Sequence, residues 1–235
     1  MKPNPNIVAA VFARGGSKGL PGKNLKELGG VSLVGRAVEI AKSIDGVSEV
    51  LVSTDSDEIA NEALKHGALV PFMRPIELSQ DGSPEIDAWK HMINQYSALY
   101  KREIDILISI PPTAPLRRVE DVKGALGLFS SLADADLVIT ITKSIRNPFF
   151  DMVTKYEDSK IEKVVEASGS FHRRQDAPTV FDITPVAYIA KAEFVLENFH
   201  LLNGNVYGYE VPRSVSLDID TEEDFAYAEF LEMQG

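Results

Sequence analysis

Unbroken apolar runs and stretches of helical period take turns along this chain. The first run, IVAAVFA at residues 7–13, holds seven apolar positions without polar alternation. Such a run, with Val and Ile suited to the pleat, predicts a buried strand. Glu49 to Ser53, Ala68 to Phe72, Asp105 to Ile110, Ala135 to Thr142, Ala187 to Ile189 and Val206 to Val211 read as further strands. Between them the spacing turns helical. Leu33, Val34, Ala37, Val38, Ile40 and Ala41 follow a Gly29-Gly30 turn, and a helix from about Asp57 to His66 stops at Gly67. Ser83-Pro84-Glu85 opens another, with Pro at its first position and Ile86, Trp89, Met92 and Ile93 as its buried stripe. His91 on that helix has no metal-spaced partner and reads as structural or exposed. Glu120 to Leu132 and Phe194 to Leu202 complete the helices. The alternation predicts an α/β fold.

The pattern changes from Lys143 to Phe181. Half-polar, alternating strands there predict an antiparallel extension rather than another βαβ unit. Phe149, Phe150, Met152 and Val153 are more apolar than a small arm buries alone, which predicts a surface that meets a partner chain.

Composition narrows the field. A chain of 235 residues, 44% hydrophobic and 25% charged, has material for one large α/β domain or two small ones. A net charge of −11 argues against a nucleic-acid partner, whose footprint would be a basic stripe. No window approaches 18 apolar residues, so no membrane span is expected. MKPNPN at the start lacks the apolar core of a signal peptide, and no cysteine is present. Both fit a cytoplasmic protein, and the second excludes disulfides and thiolate metal sites.

Against that acidic background one basic cluster stands out. The loop after the first strand reads RGGSKGLPGKN, with Arg14, Lys18 and Lys23 among Gly15, Gly16, Gly19 and Gly22. Exposed N–H groups and cations at the carboxyl end of a strand suit a polyphosphate. The loop is neither of two familiar motifs. Gly22-Lys23 is followed by Asn24 rather than Ser or Thr, and Gly15 and Gly16 are adjacent, which breaks G-x-G-x-x-G. Further on, Thr54-Asp55-Ser56-Asp57 suits a helix cap, with Asp55 also a candidate for ribose or metal contact. Arg74 precedes Pro75 and is presented from a stiff turn. Three prolines within Pro111-Pro112-Thr113-Ala114-Pro115 make a rigid wall. Late in the chain, Asp218 and Asp220 are two apart and, if extended, point to one side. Two hard carboxylates on one face suit Mg²⁺ when a nucleotide supplies further oxygens. The bland alternative has Asp220 capping a helix that starts near Thr221, helped by Glu223.

Taken together these residues resemble the acylneuraminate cytidylyltransferase family, the CMP-sialic acid synthetases, over nearly the whole chain. ARGGSKGLPGKN is similar to the family's nucleotide loop, and STD at 53–55 and RPIEL at 74–78 are similar to its next landmarks. PTAPLR at 112–117 resembles P-T-S-P-L-R, and Arg173-Arg174-Gln175 and SLDIDTEEDF complete the order. The resemblance implies a Rossmann-like nucleotidyltransferase fold, three-layer α/β/α with a mixed, mostly parallel sheet. It implies a single domain over 1–235 with a dimerisation and sugar-site extension at about 143–181, working as a homodimer or a tetramer. The implied reaction joins CMP from CTP to the anomeric hydroxyl of a 2-keto-3-deoxy sugar acid and releases pyrophosphate. By matched position, Arg14, Gly15, Gly16, Ser17, Lys18 and Lys23 would hold the triphosphate, with Arg14 and Lys23 facing transition-state charge. Asn24 and Arg74 would meet the base or ribose, and Asp218 and Asp220 would hold Mg²⁺ and aid deprotonation. Arg174, Gln175, Pro111, Asp182 and Tyr188 would face the sugar.

The sugar side departs from the family. Pro111 stands where a Gln is common, and Asp182-Ile183-Thr184-Pro185-Val186-Ala187-Tyr188 replaces R-P-N-G-A-I-Y, keeping the Tyr. RNPFFDMV at 146–153 looks closer to members acting on bacterial nonulosonic acids such as legionaminic or pseudaminic acid. A CMP-Kdo-type synthetase, a relative using another NTP, and a non-catalytic nucleotide-binding protein stay open at this point.

Overall fold

The computed structural model describes residues 5–165, 173 and 176–234. Its strands are β1 (Ile7–Phe12), β2 (Glu27–Leu28), β3 (Val31–Ser32), β4 (Val47–Ser53), β5 (Ile106–Ser109), β6 (Leu137–Lys143), β7 (Val153–Lys155), β8 (Ile161–Lys163), β9 (Phe181–Lys191) and β10 (Val206–Glu210). Six of them form the main sheet in the order β10-β6-β9-β5-β1-β4. β4, β1 and β5 run parallel, as do β6 and β10, while β9 is antiparallel to both of its neighbours.

Helices α1 (Leu33–Lys42), α2 (Asp57–Lys65), α3 (Glu85–Tyr100), α4 (Val119–Ser131), α5 (Ala192–Glu197) and α6 (Glu222–Gln234) surround it. Period-two alternation along β1 decides which side each residue serves. Ala9 and Val11 join Val34, Val38, Ile59, Val122 and Phe129 from α1, α2 and α4. Val8 and Ala10 join Trp89, Met92, Phe194 and Val195 from α3 and α5 on the opposite face. A strand buried on both sides needs the uninterrupted apolar run seen at residues 7–13, and the result is three layers, α/β/α. Trp89 is fully buried, in line with its place in the predicted stripe.

Three expected elements differ. Ala68 to Phe72 is not a strand: it makes one parallel bridge, Leu51 to Leu69, and Pro71 has no N–H to extend the ladder. The helix expected from Phe194 to Leu202 is the six-residue α5, ended where the Asn198 side chain donates to the Phe194 carbonyl at 2.9 Å. β9 begins at Phe181 rather than Ala187, because Pro185 hides the strand pattern. The structure accommodates Pro185 in an irregularity of the β6–β9 register. Thr140 supports that bend: its hydroxyl accepts from the Ala187 N–H at 3.0 Å and lies 3.0 Å from the Thr184 and Ala187 carbonyls.

β6 and β9 run on beyond the sheet as the base of the projecting arm, where Ser144 N–H donates to the Val180 carbonyl. Beyond it β7 and β8 form an antiparallel hairpin exposed throughout. Met152, Val153, Tyr156, Ile161 and Val164 are exposed, whereas Phe149 and Phe150 are half-buried at the base rather than displayed. Among the described residues no helix is long and apolar enough to cross a membrane.

Candidate active site

The strand ends of β1 and β5, together with the start of α3, enclose a cavity of about 600 Å³. This is where open α/β sheets place ligands, outside the carboxyl ends of their strands. Arg14, Ser17, Lys18, Lys23, Asn24, Arg74, Pro111, Tyr188, Asp218 and Asp220 all line it. Ten predicted residues from five separate segments thus meet in one place.

The basic loop is held in shape by bonds that its sequence does not announce. The Asn24 side chain donates to the Arg14 carbonyl at 2.9 Å, bridging the two ends of the loop. Gly15 N–H donates to Asp55 Oδ1 at 2.9 Å. Asp55 therefore fixes the loop instead of capping a helix, and Ser56 is the N-cap of α2. Gly15 and Gly16 are not among the residues that line the cavity. Gly19 shows why glycine is required nearer the ligand: a Cβ there would lie 2.4 Å from the Asp220 carbonyl oxygen. Gly22, at φ 68°, turns the chain into a short helical turn carrying Lys23 and Asn24.

Lys23 is largely buried, and its ammonium donates to the Ile219 carbonyl at 2.6 Å and to Asp220 Oδ1 at 2.9 Å. The 218–220 segment alternates as expected of an extended chain. Ile219 points into a cluster with Leu20, Leu28, Leu33 and Phe225, and both aspartates face the cavity. Its register is set by Ile219 N–H donating to the Thr113 carbonyl at 2.8 Å. Asp220 does not cap α6. Thr221 and Asp224 form that box reciprocally, Asp224 N–H to Thr221 Oγ at 3.2 Å and Thr221 N–H to Asp224 Oδ2 at 2.8 Å. Glu223 takes no part in it, and Asp220 is left to the cavity.

Among the described residues no three carboxylate or imidazole groups are gathered closely enough to hold a metal by themselves. The Asp218–Asp220 pair nevertheless fits a hard divalent cation whose remaining oxygens arrive with a ligand. Crowding by protein pushes the Asp218 carboxyl up, a hydrogen bond with Thr113 opposes this, and the neighbouring Asp220 charge adds to the rise. Repulsion between two carboxylates is what a cation would relieve.

Burial lowers the pKa of Arg74, opposed by Asp55; its Nε donates to Ser79 Oγ at 2.9 Å. Four further residues were given no role in the site by the sequence. Asp81 receives both Arg14, at 2.7 Å, and Lys18. Glu85 opens into the cavity, accepts from the Trp89 indole at 3.3 Å, and has its pKa raised by desolvation. Thr113 pins Asp218. Arg117 is buried beneath the wall, where it donates to the carbonyls of Pro111, Ala114 and Pro185. Its burial works against its charge and Asp218 works in its favour. Asp81 and Thr113 take their roles from Arg14 and Asp218 across the fold, whereas Thr113 and Arg117 stand inside the PTAPLR stretch, which marks the segment without giving their roles.

The expected sugar residues divide. Tyr188 packs edge-on to Trp89 at 5.7 Å, its phenol pKa raised by desolvation and then by the charges of Glu85 and Asp218. Pro111 is on the same wall. Asp182 is not in that cavity: it lines a second one of about 440 Å³, with Lys143, Ile183, Arg213, Tyr227 and Leu231. The two cavities share Pro185 and Asp218. Arg174 and Gln175 lie outside the described residues.

A strand-end cavity that pairs a glycine-rich cationic loop with two remote carboxylates is the equipment of a nucleotidyltransferase. The comparisons agree: the model of the cytidylyltransferase family matches residues 8–234, and this chain belongs to that family. It is 33% identical over 225 residues to a CMP-N,N'-diacetyllegionaminic acid synthase from Campylobacter jejuni, covering 96% of this chain and 94% of that protein. It is 33% identical over 224 residues to N-acylneuraminate cytidylyltransferase A of Danio rerio, covering 95% of this chain and 50% of the longer protein. In fold it is similar to a CMP:2-keto-3-deoxy-manno-octonic acid synthetase complexed with CTP. The TM-score is 0.71 at 18% identity, with 97% of this chain and 99% of that one covered.

Proposed function

We propose that the protein is a cytoplasmic enzyme that transfers CMP from CTP to the anomeric hydroxyl of a bacterial nonulosonic acid, releasing pyrophosphate. The single observation that carries this is the meeting of Lys23 with Asp220 at 2.9 Å, which puts the phosphate loop against the carboxylate pair. The named relatives supply the nucleotide and the acid class. The likeness to the CMP-Kdo synthetase supports the fold alone.

In this reading Arg14, Ser17, Lys18 and Lys23 hold the triphosphate, and Asn24 and Arg74 orient the ribose or base. A Mg²⁺ held by Asp218 and Asp220 would supply Lewis-acid neutralisation of phosphate charge. The acceptor occupies the second cavity, because its hydroxyl must reach the α-phosphorus opposite the leaving pyrophosphate and Asp218 borders both spaces. Lys143 and Arg213 make no ion pair among the described residues and are free to meet the carboxylate of the acid. Ile183, Tyr227 and Leu231 give acyl or deoxy carbons an apolar wall, and Asp182 accepts an N–H. As the new oxygen–phosphorus bond forms and the bond to pyrophosphate breaks, Asp218, which borders both cavities, takes the hydroxyl proton. Lys23 meets the charge that builds on the phosphoryl oxygens. The exposed apolar residues of the arm support pairing of two copies, each arm closing the other's acceptor cavity.

The test is pyrophosphate release with four NTPs against legionaminic, pseudaminic and N-acetylneuraminic acids and Kdo, with the preparation's mass read by sedimentation. CTP with a nonulosonic acid is expected to turn over fastest, in a two-chain species. Faster turnover with another NTP, or with Kdo, overturns the assignment.

A further inference from the structure

All three cations of the loop already have anionic partners within the protein. Lys23 is joined to Asp220, while Arg14 and Lys18 divide one carboxylate between them, Arg14 on Oδ1 at 2.7 Å and Lys18 on Oδ2 of Asp81. Asp81 belongs to the opposite wall, in the segment between the short helical turn Ile76–Leu78 and α3. That segment is tied on either side of Asp81. Ser79 Oγ accepts from Arg74, the Gln80 amide donates to the Ile76 carbonyl at 2.8 Å, and Ser83 Oγ donates to the Glu77 carbonyl at 2.7 Å. The Asp81 side chain is itself 39% exposed, so solvent can take its place against the two cations. The two cations hold its carboxyl below the usual range, Lys18 contributing first.

We propose that Asp81 is an internal counter-anion of the phosphate cradle, competing with ligand phosphates for Arg14 and Lys18 and thereby selecting triphosphate and pyrophosphate over ligands with a single phosphate group. This rests on the reading of the cavity as a nucleotide site. A triphosphate brings several negative charges to these cations and outcompetes one carboxylate. The nucleotide's remaining single phosphate after transfer gains nothing over Asp81. Once the new phosphodiester forms, Asp81 can return to Arg14 and Lys18 while the pyrophosphate is still bound, which lowers the cost of its departure. The pairs are largely exposed, and exposed pairs are weak enough to be exchanged in each cycle.

Titration calorimetry of the full chain with CTP, pyrophosphate and CMP, for the wild type, Asp81→Asn and Asp81→Glu, tests this. Asp81→Asn is isosteric on a surface segment and leaves the core untouched. It is expected to bind pyrophosphate and CTP about five-fold more tightly, the worth of one exposed pair, and to bind CMP within about two-fold of the wild type. Pyrophosphate should become the stronger product inhibitor in proportion, and Asp81→Glu should track the wild type. Unchanged or weaker pyrophosphate binding by Asp81→Asn overturns the proposal and makes Asp81 a strut for Arg14. Equal tightening of all three ligands overturns the selectivity, leaving only a general field. If neither protein binds CTP or CMP while Asp81→Asn still tightens pyrophosphate, the nucleotide reading fails and the counter-anion stands.

Discussion

The two cavities that share Asp218 are built in opposite ways. Around the first, nearly every charged group is already spoken for: Lys23 by Asp220, Arg14 and Lys18 by Asp81, Arg74 by Ser79. Around the second, Lys143, Arg213 and Asp182 stand exposed on strand ends and loops. A preorganised wall reduces the ordering cost at the moment of binding, and suits a ligand that never changes. A loosely held wall can be rewritten residue by residue without disturbing the core. The contrast fits a fixed nucleotide and a variable acid.

The largest expected effect attacks the residue common to both. Asp218→Ala should lower kcat by at least about 100-fold, as for loss of a group acting on transition-state charge. Nucleotide binding by calorimetry should survive; if turnover survives instead, Asp218 is not at the reacting centre. Next, Gly19→Ala forces a methyl group against the Asp220 carbonyl, 2.4 Å from the ideal Cβ. Overpacking of this kind costs about 1–3 kcal/mol, and both thermal stability and kcat should fall. An unaltered enzyme would mean that the preorganised wall yields easily. The contrast is sharpened by Lys143→Ala combined with Arg213→Ala. Losing charge-assisted hydrogen bonds should raise KM for the acid about ten-fold, with KM for CTP unchanged. A shift in the CTP value would show that the two cavities are not independent.

The smallest effect is a titration. Desolvation raises the Glu85 pKa in the fold, so the folded state binds a proton that the unfolded state has released. Stability from this group is therefore complete below the unfolded value of about 4.5 and is lost as pH rises through the folded value. Glu85→Gln should melt higher than the wild type at pH 7, by under about 3 °C, and the gap should close below pH 4.5. A gap that widens on acidification would reverse the sign and the argument.

Most of the preorganised side was readable from the chain because its signals are local. Residues 7–13, the Ile86–Trp89–Ile93 stripe and the Asp218/Asp220 alternation each follow from spacing within a few positions. What escaped depends on partners far away. Asp81 gains its meaning from Arg14, 67 positions earlier, and Asp55 from Gly15, 40 positions earlier. The Thr221–Asp224 box stands one residue along from the Asp220–Glu223 alternative, which spacing alone could not exclude. β9 was shortened because Pro185 masks a strand whose bend Thr140 satisfies from across the sheet.

The contact of Gly19 and Lys23 with Asp220 also bears on when the site comes into being. The ion pair closes a loop of 197 positions, and the missing Cβ at Gly19 makes room for the same segment. Contacts of such separation form late, after local structure has reduced the entropy of bringing the ends together. A chain with β1, the loop and α3 in place would have its phosphate cradle but no carboxylate pair beside it. On the proposed roles of Asp218 and Asp220, chemistry awaits the docking of the segment that carries them, so that catalysis would itself report on the completion of folding.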